Sequence, residues 1–186
     1  MDEENASMDP KGAPEPYSSD LDPGFDVREP QQVKSPLVFS SPHSGSSYPA
    51  DFLAVAALDP LTLRRSEDAY VDELFAGAIR VGAPLLRAHF PRAFLDVNRE
   101  PYELDQRMFE ERLPPFANTR SMRVAGGLGT IARVVGEARE IYAGRLPVAE
   151  ALRRIETLYK PWHTQLRALM RRAEQAFGYA ALIDCH

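Results

Sequence analysis

Two histidines and a carboxylate have the right chemistry to act together: His43 in the turn Pro42-His43-Ser44-Gly45, Asp68 in Ser66-Glu67-Asp68, and His186 at the close of YAALIDCH. Two imidazole nitrogens and one carboxylate oxygen make up a catalytic zinc set, in which a fourth position stays open for water. The chain has neither HExxH nor HxxE, so spacing alone does not establish the site. Each residue also has a plainer reading. His43 can cap a turn, Asp68 can be a helix-start carboxylate, and His186 can be an exposed terminal residue.

Their neighbours add to both readings. Glu67 competes with Asp68 for the acidic position. A helix begun at Ser66 would place Asp68 and Asp72 one turn apart on one face, with the helix dipole favouring the ionised form a metal needs. Asp184 lies two residues before His186, where it can orient the imidazole through its ring N–H, or simply sit at an exposed edge. Cys185 alternates to the opposite face of the strand and reads as a buried thiol. His89 reads as surface, and His163 as a packing or capping residue on a long helix. A metal-free hydrolase built on the serines around His43 lacks a nucleophile elbow and a second triad partner.

These residues must be brought together by the fold. Leu37-Val38-Phe39 reads as a short buried strand between Pro36 and Pro42, and Pro49 to Leu58 as a short helix. Val71, Leu74, Phe75, Ala78 and Ile79 recur at helical steps from an N-cap at Ser66 to Gly82. APLLRAHF and RAFLDVN read as two strands joined at Pro91, residues 100–120 as an irregular excursion, and GTIARVV as a further strand. From Pro147 a helical pattern runs to Phe177, with Gly178 as its C-cap and Pro161 kinking or dividing it. YAALIDCH follows as a last strand. Strands alternating with helices predict an α/β domain, a mixed, mostly parallel sheet flanked by helices. In such a sheet, ligands collect beyond the carboxyl ends of the strands, where His43, Asn98-Arg99 and Asp184-His186 fall.

Composition limits the function classes. With 44% hydrophobic and 26% charged residues, the 186-residue chain suits one globular domain. Residues 1–34 hold nine acidic against three basic residues, a balance of −6, while the remainder is close to neutral at +1. No basic footprint for nucleic acid is present, and no apolar run reaches the roughly 18 residues of a membrane helix. A single cysteine and an acidic N-terminus without an apolar h-region fit a cytoplasmic protein. Residues 1–23 read as a disordered acidic tail rich in Pro and Ser, and residues 24–186 as the folded unit.

Six segments in order, SSPHSGSSYP, SEDAYVDELF, RAFLDVNR, GGLGTIARV, YKPWH and LIDCH, resemble the N-formylglutamate amidohydrolase family. The resemblance spans about residues 25–186. It implies a zinc-carboxypeptidase-like and aspartoacylase-like fold, with His43, Asp68 and His186 as zinc ligands. The implied reaction is hydrolysis of N-formyl-L-glutamate to formate and L-glutamate in histidine degradation. A broader N-acyl-amino-acid amidohydrolase is the neighbouring possibility. A dicarboxylate substrate needs guanidinium groups that grip carboxylate oxygens in pairs. Asn98 and Arg99, from the DVNR segment, and Arg133 are the expected binding residues, with Arg92 a weaker third arginine. The family's general-base glutamate lies downstream of the DCH strand. The resemblance therefore also implies a chain missing its C-terminal part, which retains the fold and ligand binding with impaired catalysis.

Overall fold

The computed structural model describes residues 21–186; of the expected tail, residues 1–23, all but the last three lie outside the described residues. Leu21 is already buried in the core. In chain order the elements are β1 (Phe25–Arg28), β2 (Leu37–Ser41), α1 (Ala50–Val55), α2 (Pro60–Leu63), α3 (Val71–Leu74), β3 (Leu85–Ala88), α4 (Met122–Ala125), β4 (Val134–Val135), β5 (Arg139–Glu140), α5 (Val148–Arg154), α6 (Lys160–Phe177) and β6 (Ala181–Asp184).

Four strands form the main sheet in the order β1-β3-β2-β6. β2 is parallel to both β3 and β6, and β1 joins β3 antiparallel. β2 buries Val38 and Ser40 on one face and half-buries Leu37 and Phe39 on the other, so its run of apolar residues does not alternate with polar ones. On one face α6 packs against β2, and Trp162 meets Phe25 edge-on at 5.6 Å between ring centroids. On the other face Phe39 meets Phe75, at the start of a 3₁₀ helix spanning Phe75–Val81. The mixed, mostly parallel sheet flanked by helices agrees with the sequence reading.

Register positions the chemistry. Ser40 pairs with Asp184, and Cys185 N–H donates to Ser40 O at 2.8 Å. His43 and His186 therefore leave adjacent parallel strands at the same carboxyl edge. The turn after β2 packs so closely on the following segment that a Cβ on Gly45 would lie 2.2 Å from Phe90 O.

Several expected elements differ. The helix expected from Ser66 begins instead at Val71, behind Tyr70 in a left-handed conformation. Ser66 is no N-cap; its hydroxyl donates to Leu63 O at 3.0 Å. The reason is tertiary: Asp68 N–H donates to His43 O at 3.0 Å, drawing residues 67–69 out of the helix. Asp68 and Asp72 do not share a helical turn, and Asp72 accepts from Arg87 at 3.0 Å. RAFLDVN is not a strand but a buried turn, with Phe94 N–H and Leu95 N–H both donating to Pro91 O. GTIARVV supplies only the two residues of β4.

The long helix is divided as expected, and the division matters. Between α5 and α6 lies one π turn, Ile155–Tyr159, directly before Pro161. Proline cannot donate into the preceding turn, and a π turn absorbs the mismatch. Gly178 ends α6 with φ of 79°.

Candidate metal centre

His43, Asp68 and His186 converge on one point. His43 Nδ1 lies 3.3 Å from His186 Nδ1 and 3.3 Å from Asp68 Oδ2, while His186 Nδ1 and Asp68 Oδ2 are 2.8 Å apart. Among the described residues this is the group of histidine and acidic side chains whose donor atoms are close enough to share an ion. Bonds of about 2.0–2.1 Å in a tetrahedron put neighbouring ligand atoms roughly 3.3–3.4 Å apart. Two sides of the triangle match that spacing, and the third is somewhat short.

Tautomers sharpen the fit. His43 Nε2 faces Asp96 Oδ1 at 2.8 Å, so the ring carries its proton on Nε2 and turns a lone pair from Nδ1 into the site. His186 Nε2 faces Asp184 Oδ2 at 3.0 Å and is oriented in the same way. Two imidazole nitrogens and a carboxylate oxygen then face each other across about 3 Å, a donor set that could hold a cation. In its absence the carboxylates favour protonation of His186: burial lowers its pKa, but the bonds to Asp68 and Asp184 outweigh burial and raise it.

Geometry separates the two neighbouring carboxylates. Glu67 has a side chain only 2% exposed, accepts from Tyr48 Oη at 2.8 Å and pairs with Arg64 at 3.3 Å. Its neighbour Asp68 therefore faces the opposite way, into the triangle.

Asp96, which sequence reasoning passed over inside RAFLDVNR, organises the other side. One oxygen holds His43; the other meets Arg92 Nε at 3.1 Å and Arg99 at 3.5 Å. Burial opposes its ionisation, but the bond from His43 and the charges of Arg92 and Arg99 outweigh it and hold the carboxyl below the usual carboxylate range. The long helix fixes the turn carrying Asp96. Buried Arg154 stacks 3.9 Å over Phe94 and donates to Phe94 O at 3.0 Å, Tyr159 donates to Arg99 O, and His163 Nε2 donates to Val97 O at 2.9 Å. The step from 154 to 159 is one π turn and that from 159 to 163 one α turn, so the π turn aligns all three. Neither the π turn nor these targets were legible in the sequence, because at regular α-helical spacing Arg154 and Tyr159 fall on different faces.

The expected binding residues separate. Asn98 Nδ2 donates to Asp184 Oδ2 at 2.8 Å and lies beside His186. Arg99 is wedged below, donating to Leu128 O and Asn98 O. Arg133 is gripped by Asp105 at 2.9 Å and Glu140 at 2.9 Å, in a separate cleft shared with Arg107 and Arg145. Arg92 lines a cavity of about 230 Å³ together with Asp96. His89 binds Asp26 at 3.0 Å, away from the triangle. Cys185 is buried, as expected, and burial pushes its thiol up to about 11, which leaves it inert.

A solved N-formylglutamate amidohydrolase from Ralstonia eutropha JMP134 superposes with a TM-score of 0.80 at 38% identity, covering 87% of this chain and 56% of that one. A gene product of Agrobacterium tumefaciens shares the fold, with a TM-score of 0.60 at 19% identity over 88% of this chain and 56% of that one. N-formylglutamate deformylases of Pseudomonas putida and Pseudomonas aeruginosa are 25% and 26% identical, over 83% and 81% of this chain and 52% and 51% of theirs. The chain thus spans about half the length of the curated relatives it matches. The family model of N-formylglutamate amidohydrolase matches residues 35–186, and on that match and the 38% identical structure the chain belongs to the N-formylglutamate amidohydrolase family.

Proposed function

We propose that this chain holds a zinc ion through His43, Asp68 and His186 and hydrolyses the formamide of N-formyl-L-glutamate to formate and L-glutamate, a step of histidine degradation. The observation that carries the reading is the convergence of two imidazole lone pairs and one carboxylate oxygen within 3.3 Å of one another. When bound, zinc supplies Lewis-acid polarisation of the formyl oxygen and a water acidic enough to react near neutral pH.

The chain's own residues do the rest. Asp96 and Asp184 keep the Nε2 protons of the two histidines in place, so that both Nδ1 atoms face the site. Asn98, at the rim beside His186, is placed to donate to a substrate carboxylate once it turns from Asp184. Arg99 and Arg92 give the floor its positive charge against an anionic substrate. Arg133, held by two carboxylates in a separate cleft, is assigned no substrate contact. The surrounding carboxylates Asp68, Asp96 and Asp184 are each engaged by an imidazole, so this reading assigns proton transfer to none of them.

That engagement favours a second reading, in which the chain binds metal and ligand without turnover. One experiment separates them: zinc content by elemental analysis alongside formate release from N-formyl-L-glutamate, with and without chelator. Chelator-sensitive formate release supports the hydrolase. Stoichiometric zinc without formate supports the binding form, and absence of zinc removes both.

A further inference from the structure

The cavity that Arg92 shares with Asp96 has a wall of Ala93, Leu128, Ala132 and Val135 and a second guanidinium, Arg65, among its lining. At about 230 Å³ it is large enough for a short aliphatic side chain. Asp96 ties it to the metal centre, since one carboxylate oxygen holds His43 and the other holds Arg92. Arg65 also lies three residues before Asp68, on the short 3₁₀ turn Arg64–Ser66 that leads into the site.

The present partner of Arg65 is unusual in its setting. Glu137 Oε1 accepts from Arg65 Nη2 at 3.1 Å. Glu137 belongs to the tip of the β4–β5 hairpin, where it and Ala138 have φ of 62° and 58°. Hairpin tips that need positive φ favour Asn and Gly, and neither residue here is suited to it. The strained tip hangs beside the cavity, whose lining includes Val134, Val135 and Gly136 of the same hairpin. It presents one carboxylate, on a flexible stem, to the cavity's arginine. The pair is 48% exposed at Arg65 and 71% at Glu137 and so is held weakly.

We propose that Arg65 selects for a second carboxylate on the substrate side chain, and that Glu137 occupies its guanidinium until substrate displaces it. An aliphatic stem runs along the apolar wall, and its terminal carboxylate replaces that of Glu137. This deepens the hydrolase reading and rests on it for the identity of the reacting group. It assigns side-chain specificity to a residue outside the DVNR segment.

The test is calorimetric binding of N-formyl-L-glutamate and its neutral isostere N-formyl-L-glutamine to the zinc-loaded chain, with formate release followed in parallel. The wild-type chain is expected to prefer the dicarboxylate by about tenfold or more. Arg65→Ala brings the two ligands within about twofold, and Arg65→Lys restores part of the difference. Glu137→Gln acts in the opposite sense, tightening the dicarboxylate several-fold and leaving the amide unchanged. An unchanged ratio in Arg65→Ala, no preference in the wild type, or no binding of either ligand overturns the proposal. Formate release with a preference indifferent to Arg65 sinks this inference and spares the hydrolase reading. Arg65-dependent selectivity without formate release does the reverse.

Discussion

His43 enters the candidate metal centre from the interior of the molecule and His186 enters it from the sheet's edge. His43 is 1% exposed and rests on Asp96, which is itself buried and tied to two arginines. His186 has a side chain 41% exposed and rests through Nε2 on Asp184, which is 36% exposed. The chemistry of the two supports is the same, a carboxylate on the ring's far nitrogen, but the dielectric around them differs. A charged hydrogen bond in a dry setting is worth more, and breaking it costs more, because the partner left behind cannot be solvated. One half of the centre is therefore built into the fold and the other is added to its rim.

The largest expected effect is at His43. His43→Ala should reduce zinc to background in elemental analysis and also lower stability by about 1–3 kcal/mol in chemical denaturation, since buried Asp96 loses the bond from the ring and keeps only Arg92, Arg99 and the Asn98 N–H. His186→Ala should lose zinc equally while costing under about 1 kcal/mol of apo-protein stability. Equal stability losses would erase the distinction between interior and rim.

Next come the supporting carboxylates. Asp96→Asn should weaken zinc by about 10–100-fold in competition with a chromophoric chelator. Asp184→Asn should fall at or below the low end of that range, because water can take over from an exposed oxygen. The reverse order would show that burial does not set the value of the second contact. Acidic neighbours can be compared in the same assay: Asp68→Asn should lose tight binding, and Glu67→Gln should keep zinc within a few-fold, since its carboxylate serves Tyr48 and Arg64.

The smallest effect lies away from the centre. Burial opposes ionisation of Asp26, but Arg87 and His89 outweigh it and hold its pKa below the usual carboxylate value of 3.8. A depressed folded-state pKa adds stability that is fully present above the unfolded value and lost as pH falls through the folded one. Asp26→Asn should therefore cost about 0.5–1 kcal/mol at pH 7, an amount discounted for its partial exposure, and the difference from wild type should close below pH 4 in denaturant titrations. A gap that persists at low pH would mean that shape, and not charge, holds the cluster.

The fold class was legible because β2, β3 and β6 are apolar runs of the right length and α6 carries a long helical pattern closed by Gly178. The misread segments share a cause. SEDAYVDELF has helical spacing throughout, yet its first part surrenders helix to bond His43, and RAFLDVN looks like a strand but is held as a turn by Arg154. In both, a long-range contact overrode local propensity, as tertiary context routinely does.

By itself the sequence determined which atoms were available: two imidazoles and a short list of carboxylates at the ends of strands, on a framework whose apolar pattern points to a mixed, mostly parallel sheet. Only the tertiary structure chose among them. Residue types and spacing fix local backbone preference, whereas the direction of a lone pair depends on what holds the ring from behind. That was decided by Asp96 and Asp184, by the β2–β6 register that sets His43 beside His186, and by Tyr48 drawing Glu67 aside so that Asp68 faces inward.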